Sequence, residues 1–423
     1  MMQKLGTINL AKIMLLLLAV VGCTGQSLFV SYDMTICYVA TLLGVIILII
    51  RKKIEKIEGI HIWFLLVTLY IGGSILTSKF SIQTTAYFRL FLCIELVFLI
   101  GLKEEYKLYF INLCKGLASI VSISIIMEVI IPNLFTEYFW FIATPKHDMG
   151  VLATLSKNIA RGYYSGFACE KSAAAYIMNI GLACIGAEYF TNEKMKKINY
   201  IWAMLYLVGI LLTGKRMLLA IPIVIYIIVL FSLKKKNKIT TIVGSIILGI
   251  AIFYIASNAI PQLGITFQRF SMYEDDTLRG RDNLWLYALA LFKTYPFFGV
   301  GYGAYNKMAS MWGLTTGDGI AWSTNAHNIY YQLLAETGII GTCLFVLLFV
   351  MGIVTTIKKI KISNKNDYKQ ILLFSLFVQM ITLLYGLTGN PIYTVNELIM
   401  YGISLTFIAK CTLETSYEKS SVN

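Results

Sequence analysis

The chain has 423 residues, of which 58% are hydrophobic and only 14% are charged. Soluble domains are about 45–50% apolar and about 25% charged, so this composition excludes an ordinary soluble protein. The net charge of +14 comes from short lysine clusters between apolar runs, with no basic stripe among aromatic residues, which argues against a nucleic-acid-binding protein.

Apolar runs long enough to cross a bilayer recur along the whole chain. In chain order they predict about twelve transmembrane helices, at residues 8–24, 34–50, 61–77, 84–102, 108–131, 171–190, 198–213, 216–233, 239–259, 334–357, 369–388 and 394–411. These runs leave no room for a separate soluble domain. We therefore expect one all-α, polytopic membrane domain over residues 1–423.

Lysine and arginine cluster at every second joint between the predicted spans. The clusters lie at 51–56, 103–107, 194–197, 234–238 and 358–369, whereas the joints near 25–33 and 389–393 carry neither residue. Loops rich in these residues stay in the cytoplasm. The pattern predicts that both termini are cytoplasmic.

That orientation leaves two long segments outside the cytoplasm, at 132–170 and 260–331. The second segment joins the ninth and tenth spans and is the most polar part of the chain. Loops of this length are usually functional. Within it, Asp282 to Lys293 carries apolar residues at helical spacing, which predicts a short amphipathic helix along the membrane surface.

The chain has three histidines, at positions 61, 147 and 327. We expect His61 to lie at the membrane interface, and His147 has no evident partner in the sequence. His327 follows a run of helix-capping residues and precedes an apolar helix. The positive end of that helix would favour neutral imidazole, the form that accepts a proton. A capping or interfacial role for His327 stays open beside a catalytic one.

Basic residues in the predicted outer segments run against the usual charge bias. They include Arg161, Arg216, Arg269, Arg279 and Arg281. Ionisable groups held at the membrane boundary are costly and indicate function, and a guanidinium matches the geometry of phosphate oxygens. Any one of these arginines could instead pair with a carboxylate or extend to the interface. The set as a whole favours an anionic ligand.

A metal or nucleotide site is less favoured. The acidic run 274–276 fits a solvated turn better than a cation site, because the outer segments contain no Asp-x-Asp pair. No strand pattern precedes the glycine-rich stretch 299–303, as a nucleotide loop would require. We expect no metal and no cofactor.

Four short motifs occur in order between residues 281 and 341. They are Arg281–Trp285, Tyr295–Gly301, Asn325–Asn328 and Glu336–Gly341, supported by Thr213–Arg216 and by Ser165–Phe167 with Glu170. Together they resemble the O-antigen ligase and Wzy-type polysaccharide polymerase family. Lys215 is a departure, because a small residue is commoner at that position in the family.

The resemblance implies a GT-C-like membrane fold and a metal-independent, inverting glycosyltransferase of the bacterial cytoplasmic membrane. The donor would be a glycan on undecaprenyl diphosphate. Arg216 and Arg281 would hold the diphosphate, and His327 would serve the acceptor hydroxyl. The further substrate contacts expected are Arg161, Glu170, Lys215, Arg279, Asn328 and Glu336. The exchanged assignment stays open, with Glu336 or Glu170 as the base and His327 orienting the diphosphate.

Three functions remain in competition. The Ile- and Lys-rich, Pro-poor composition is typical of an AT-rich gene cassette and favours a polymerase of O-antigen or capsular repeat units. A ligase would transfer the finished glycan to another acceptor. A flippase or transporter would show internal repeats and binding residues near the membrane midplane, whereas polar residues here concentrate in the outer segments. The lipid bilayer, a flippase and a chain-length regulator are the expected partners of a polymerase.

Overall fold

The computed structural model describes residues 2–24, 33–51, 58–139, 149–192, 195–232, 281–312 and 325–409, with three isolated positions between 247 and 264. Within these ranges the secondary structure is helical and includes no strand. The α-helices of the described ranges are α1 (Met2–Thr24), α2 (Asp33–Arg51), α3 (Gly59–Ser74), α4 (Ser81–Ile100), α5 (Glu104–Ile130), α6 (Pro132–Glu137), α7 (Met149–Ala160), α8 (Lys171–Thr191), α9 (Lys197–Leu212), α10 (Arg216–Ser232), α11 (Arg281–Thr294), α12 (Tyr305–Met311), α13 (Ile329–Ile362), α14 (Asn366–Tyr385) and α15 (Val395–Ile408).

The apolar helices lie where the hydrophobic runs predict them. Helices α2, α4, α5, α8, α13 and α14 are long and apolar enough to cross a membrane, and α1, α3, α9 and α10 contain shorter apolar stretches. The predicted span 239–259 lies outside the described residues. The described part of the chain is therefore all-helical, and its several long apolar helices are those of a multi-pass membrane protein. The number of twelve spans, the orientation and the GT-C likeness stay predictions.

Helix α8 forms the centre of the bundle. It packs against α5, α9, α10 and α14, and nearly all of its side chains are buried. Small residues such as Ala174 and Ala175 allow these neighbours to approach closely, as in other membrane helix pairs. The start of this central helix fixes the position of Glu170 at one end of the bundle. We call this end, where α8 and α10 begin and α14 ends, the motif end.

Lysine side chains hold the opposite end of the bundle together. Lys107 is buried, and its Nζ donates to the carbonyl of Phe407 at 3.1 Å. Lys359 pairs with Glu58 and donates to the carbonyl of Ile408 at 2.9 Å. These cations satisfy the last carbonyls of α15 and complement the negative end of its dipole.

His61, expected at the membrane interface, lies in the first turn of α3 and is buried against a neighbouring helix. Only 4% of its surface is exposed, and its Nε2 lies 2.7 Å from Oε2 of Glu95. Thr68 donates to the other carboxylate oxygen at 3.0 Å. A carboxylate inside an apolar bundle needs such partners, so His61 is drawn into the core. His147 lies outside the described residues.

Candidate active site

A break in helix α13 joins two of the sequence motifs. At Gly338 the backbone takes φ 58° and ψ −165°, and the next amide, of Ile339, donates to the carbonyl of Pro296 at 2.8 Å. A Cβ at position 338 would lie 2.4 Å from the carbonyl carbon of Phe297, so glycine is required there. The aromatic loop that follows α11 and the first turns of α13 therefore form one unit.

The carboxylate of Glu336 holds the glycine-rich loop within this unit. Glu336 is fully buried. Its Oε2 accepts from the amide of Gly303 at 2.7 Å, and its Oε1 accepts from the amide of Tyr305 at 2.8 Å. Both oxygens of this predicted substrate contact are thus bonded to the backbone of the protein.

Gln332 extends the network toward the Asn325–Asn328 motif. Its Nε2 donates to Oε1 of Glu336 at 3.2 Å and to Oδ1 of Asn325 at 3.1 Å, while its Oε1 accepts from the amide of Ala326 at 3.0 Å. The indole of Trp285 donates to the carbonyl of Ala326 at 2.9 Å. Ala326, which precedes the candidate base, is therefore held through both its amide and its carbonyl.

His327 sits in a backbone conformation that few residues adopt, with φ 51°. The next residue, Asn328, caps helix α13: its Oδ1 accepts from the amide of Tyr330 at 3.0 Å, and its Nδ2 donates to the carbonyl of Leu387 at 3.3 Å. Left-handed conformations at non-glycine residues persist where the surroundings enforce them, and they cluster at functional sites. Asn328, predicted as a substrate contact, has the geometry of a structural cap.

Arg281 opens helix α11 beside this segment. Trp285, four residues later on the same helical face, stacks on Tyr331 with ring centroids 5.6 Å apart. The apolar face of α11 thus packs against α13, which brings Arg281 to the His327 segment.

The turn between α9 and α10 reaches the same region. Its Gly214 has φ 72°, and a Cβ there would lie 2.4 Å from the ring of Tyr163. The amide of Tyr164 donates to the carbonyl of Leu212 at 3.1 Å. The first predicted outer segment is thereby fixed to the turn that carries Lys215.

Two carboxylates shape that outer segment. Glu128 accepts from the amides of Ser165 at 2.9 Å and Gly166 at 2.7 Å, which fixes the chain to α5. Five residues beyond Ser165, Glu170 caps helix α8 by accepting from the amide of Ala173 at 2.7 Å. The carboxylate of Glu170 is placed where it interacts with Lys215.

Burial and the charges of Arg281 and Lys215 lower the pKa of His327 to about 4, and Glu170 acts weakly in the opposite direction. Burial alone would raise the pKa of Glu170, but Lys215 and the bonds at the start of α8 hold it below its usual value. At neutral pH the site therefore combines a neutral imidazole, an ionised carboxylate and two cations. Such a set can bind a phosphate group and accept a proton.

The structure brings together four of the predicted site residues: His327, Arg281, Lys215 and Glu170. Arg216 follows Lys215 directly, with an exposed side chain at the first position of α10. Arg161 is exposed at the end of α7, and Arg279 lies outside the described residues.

Two residues at the motif end were not expected from the sequence to belong to the site. One is Gln332, whose spacing of four residues from Glu336 was the available signal. The other is Glu397, which is buried in the first turn of α15 and interacts electrostatically with Glu170 and Lys215. A carboxylate within a predicted span is itself a signal for function.

Among the described residues, no group of three histidine, cysteine, aspartate or glutamate side chains is arranged to hold a metal ion. The acidic run 274–276 lies outside them. Metal independence therefore stays a prediction.

No curated protein matches the chain. Residues 201–346, about a third of the sequence, match the family described as O-antigen ligase. The matched segment includes Lys215, Arg281 and His327, whereas Glu170 and Glu397 lie outside it. The match confirms the resemblance predicted from the motifs: residues 201–346 are similar to the O-antigen ligase family.

Proposed function

We propose that the protein is a glycosyltransferase that polymerises lipid-linked oligosaccharide repeat units. It takes the growing glycan from undecaprenyl diphosphate and transfers it to a sugar hydroxyl of the next unit, at the outer surface of the bacterial cytoplasmic membrane. The proposal rests above all on the electrostatic interaction of His327 with Arg281 and Lys215, at one end of an apolar helical bundle. Both substrates carry lipid tails, so a site at the bilayer surface suits them.

In the proposed step, the acceptor oxygen forms a bond to the anomeric carbon of the donor glycan. The bond from that carbon to the diphosphate oxygen breaks, and its electron pair leaves with undecaprenyl diphosphate. The proton of the acceptor hydroxyl passes to His327. Because this is one displacement, it inverts the anomeric centre.

Arg281 and Lys215 carry the charge stabilisation in this proposal. Negative charge grows on the diphosphate as the bond breaks, and preplaced cations stabilise it without reorganisation. These cations could replace a metal ion in the reaction. Arg216, Arg161 and Arg279 are proposed as further contacts to the diphosphate or glycan.

Glu336 and Asn328, which the resemblance makes substrate contacts, receive another role in this proposal. Both carboxylate oxygens of Glu336 bond to backbone amides, and the Asn328 side chain caps a helix. We assign both residues to the support of His327. Glu170 remains the alternative base, because it is ionised and close to Lys215.

A reconstituted assay tests the polymerase. The purified protein in proteoliposomes would receive a lipid-linked repeat unit. A ladder of lipid-linked oligomers, with release of undecaprenyl diphosphate, is the expected product. Consumption of the donor without oligomers would rule out polymerisation.

The ligase function is the second candidate, because the matched family carries that description. A ligase would transfer the glycan once to a lipid A core or another acceptor. Supplying that acceptor together with the repeat unit distinguishes the two: one band shifted in size indicates ligation, and a ladder indicates polymerisation. Movement of the intact donor across the bilayer, with no new glycosidic bond, would instead indicate a flippase.

The proposal also requires the motif end to face away from the cytoplasm. Alkaline phosphatase is active only after export, so a fusion after Trp312 should be active and a fusion after Ile362 inactive. The reverse pattern would overturn the proposed orientation.

A further inference from the structure

Large apolar side chains are exposed at the motif end, in the loops there and at the start of α4. The exposed fractions are 92% for Leu76, 80% for Ile82, 64% for Phe297 and 56% for Phe298. Isolated exposed apolar residues are ordinary, but contiguous ones indicate a contact surface. We call these four residues the apolar rim.

Hydrogen bonds connect the chain segments that carry the rim residues. The amide of Lys79, in the turn between α3 and α4, donates to the carbonyl of Val300 at 2.9 Å. The hydroxyl of Tyr70 donates to the carbonyl of Phe298 at 3.3 Å, and the amide of Ile340 donates to the carbonyl of Phe297 at the same distance. The turn between α3 and α4, which carries Leu76 and precedes Ile82, is therefore a neighbour of the aromatic loop that carries Phe297 and Phe298.

The rim continues onto a helix face that is itself apolar and exposed. Ile339 and Ile340, bonded to the aromatic loop, are 44% and 40% exposed, and Val346, Leu347 and Val350 continue along α13. Since α13 is a candidate membrane span, lipid is the environment that suits this face. The continuity argues that the same lipid reaches the rim.

A cation lies at the boundary of the rim. Lys79 is exposed, and its Nζ lies 5.2 Å from the ring centroid of Tyr295. Aromatic rings and lysine side chains favour the headgroup region, where an ammonium can meet lipid phosphates. The face of α11 that carries Leu284 and Ala288 is buried and is not available for such contact, because it packs on α13.

We propose that the apolar rim inserts into the membrane leaflet at the motif end, with Lys79 bound to anionic lipid headgroups. The rim then sets the depth of the active site in the bilayer. The aromatic loop that carries Phe297 is bonded to the break in α13, and Glu336 and Gln332 connect that break to the His327 segment. This inference does not depend on which transfer reaction the protein performs.

Photo-crosslinking tests the insertion. A benzophenone amino acid would replace Phe297 in the full chain, reconstituted in nanodiscs of phosphatidylglycerol and phosphatidylcholine. Covalent lipid adducts are the expected product by mass spectrometry. The matched control places the same residue at Asn283, which is exposed on α11 and should give few lipid adducts. Equal yields at the two positions, or adducts to a second copy of the chain instead of lipid, would overturn the proposal.

A charge variant tests the headgroup contact. A basic side chain near an anionic surface favours binding by about fivefold, so Lys79→Gln should lower the ratio of phosphatidylglycerol to phosphatidylcholine adducts at position 297 by up to that factor. Lys293→Gln, which removes an exposed lysine of α11, should leave the ratio unchanged. An unaltered ratio in Lys79→Gln would remove the headgroup contact from the proposal.

Discussion

Gln332 and Glu336 lie four residues apart on one face of α13, and Nε2 of Gln332 donates a 3.2 Å hydrogen bond to Oε1 of Glu336. The pair connects two segments of the chain. The Glu336 carboxylate binds the glycine-rich loop, and the Gln332 side-chain amide binds the backbone of Ala326, just before His327. Neither residue needs to touch substrate to affect the reaction.

Replacing Gln332 by leucine should therefore lower turnover by about 10²-fold, because small displacements of a catalytic group cost that much. The pH profile should change as well. Without the bond from Ala326 to Gln332, His327 would become more exposed and its pKa would return toward its usual value, so the acid limb of the rate should move upward from near pH 4.

Gln379→Leu is the matched control for this change. Gln379 is equally buried on α14, and it bonds to Thr356 at 3.2 Å. Its loss should reduce stability without shifting the acid limb. If both variants gave the parental pH profile, Gln332 would be a packing residue only.

Removing the imidazole should lower turnover by about 10²–10⁴, the usual contribution of a positioned acid or base. Both His327→Gly and His327→Asn should show this loss, with nearly unchanged donor affinity. Glycine and asparagine tolerate the φ of 51° at this position, so backbone strain is not introduced. A parental rate in either variant would exclude His327 as the base, and lost donor affinity would place it in the binding group.

Donor binding should raise the pKa of His327. In the free enzyme burial and the two cations lower it to about 4, so kcat/KM should fall as the pH drops through about 4. A bound diphosphate offsets the charges of Arg281 and Lys215. The acid limb of kcat should therefore lie at a higher pH than that of kcat/KM.

Lys215→Met provides the check, because it removes one cation from the free enzyme. The acid limb of kcat/KM, which reports the pKa of His327 in the free enzyme, should then move to higher pH. Identical limbs in the parental enzyme and this variant would show that Lys215 does not act on His327.

Loss of a guanidinium should weaken donor binding and slow turnover together. A hydrogen bond to a charged group contributes about 1.5–3 kcal/mol, so Arg281→Ala should raise the donor Kd by about ten- to a hundredfold. Arg281→Lys should restore part of the affinity, because an ammonium keeps the charge and loses the fork. If Arg216 also holds the diphosphate, Arg216→Ala should raise the donor Kd in the same way, and Arg216→Lys should restore part of the affinity. Unchanged Kd values measured by titration with lipid donor would contradict the assignment.

The break at Gly338 should tolerate no side chain. Gly338→Ala places a Cβ 2.4 Å from the Phe297 backbone and keeps a left-handed φ, whose strain alone costs about 1–3 kcal/mol. Thermal unfolding in detergent should show a clear loss of stability. Gly73→Ala is the control, because a Cβ there meets nothing within 4 Å. Equal midpoints for the two variants would contradict the steric argument.

The helices were predictable because membrane spans leave a strong signal in sequence. The predicted boundaries of α4, α5 and α8 lie within a few residues of those observed, and α11 is nearly coincident with the predicted amphipathic helix. Hydrophobic run length alone carries this information. The surroundings of a polar residue near a helix end are harder to predict, as His61 shows. Whether such a residue is buried depends on a partner from another helix.

The candidate site was predictable only in its residue types. His327 and Arg281 were identified from their motif. The sequence does not reveal that the side-chain oxygens of Glu336 and Asn328 accept hydrogen bonds from backbone amides. Those bonds depend on the break at Gly338 and on contacts between segments distant in the chain. Glu397 was missed for the same reason, since its electrostatic partners, Glu170 and Lys215, are about 180 residues or more away in the chain.

The packing of Tyr163 on Gly214 bears on how such proteins could be recombined. The matched segment 201–346 includes Gly214 and Lys215 but neither Tyr163 nor Glu170. A chimera that takes this segment alone from a relative would combine the Gly214–Lys215 turn of one protein with the Tyr163 and Glu170 contacts of another. Exchange of substrate preference between relatives is therefore expected to require transplanting the stretch from Arg161 to Glu170 along with the segment, so the functional module is discontinuous in the chain.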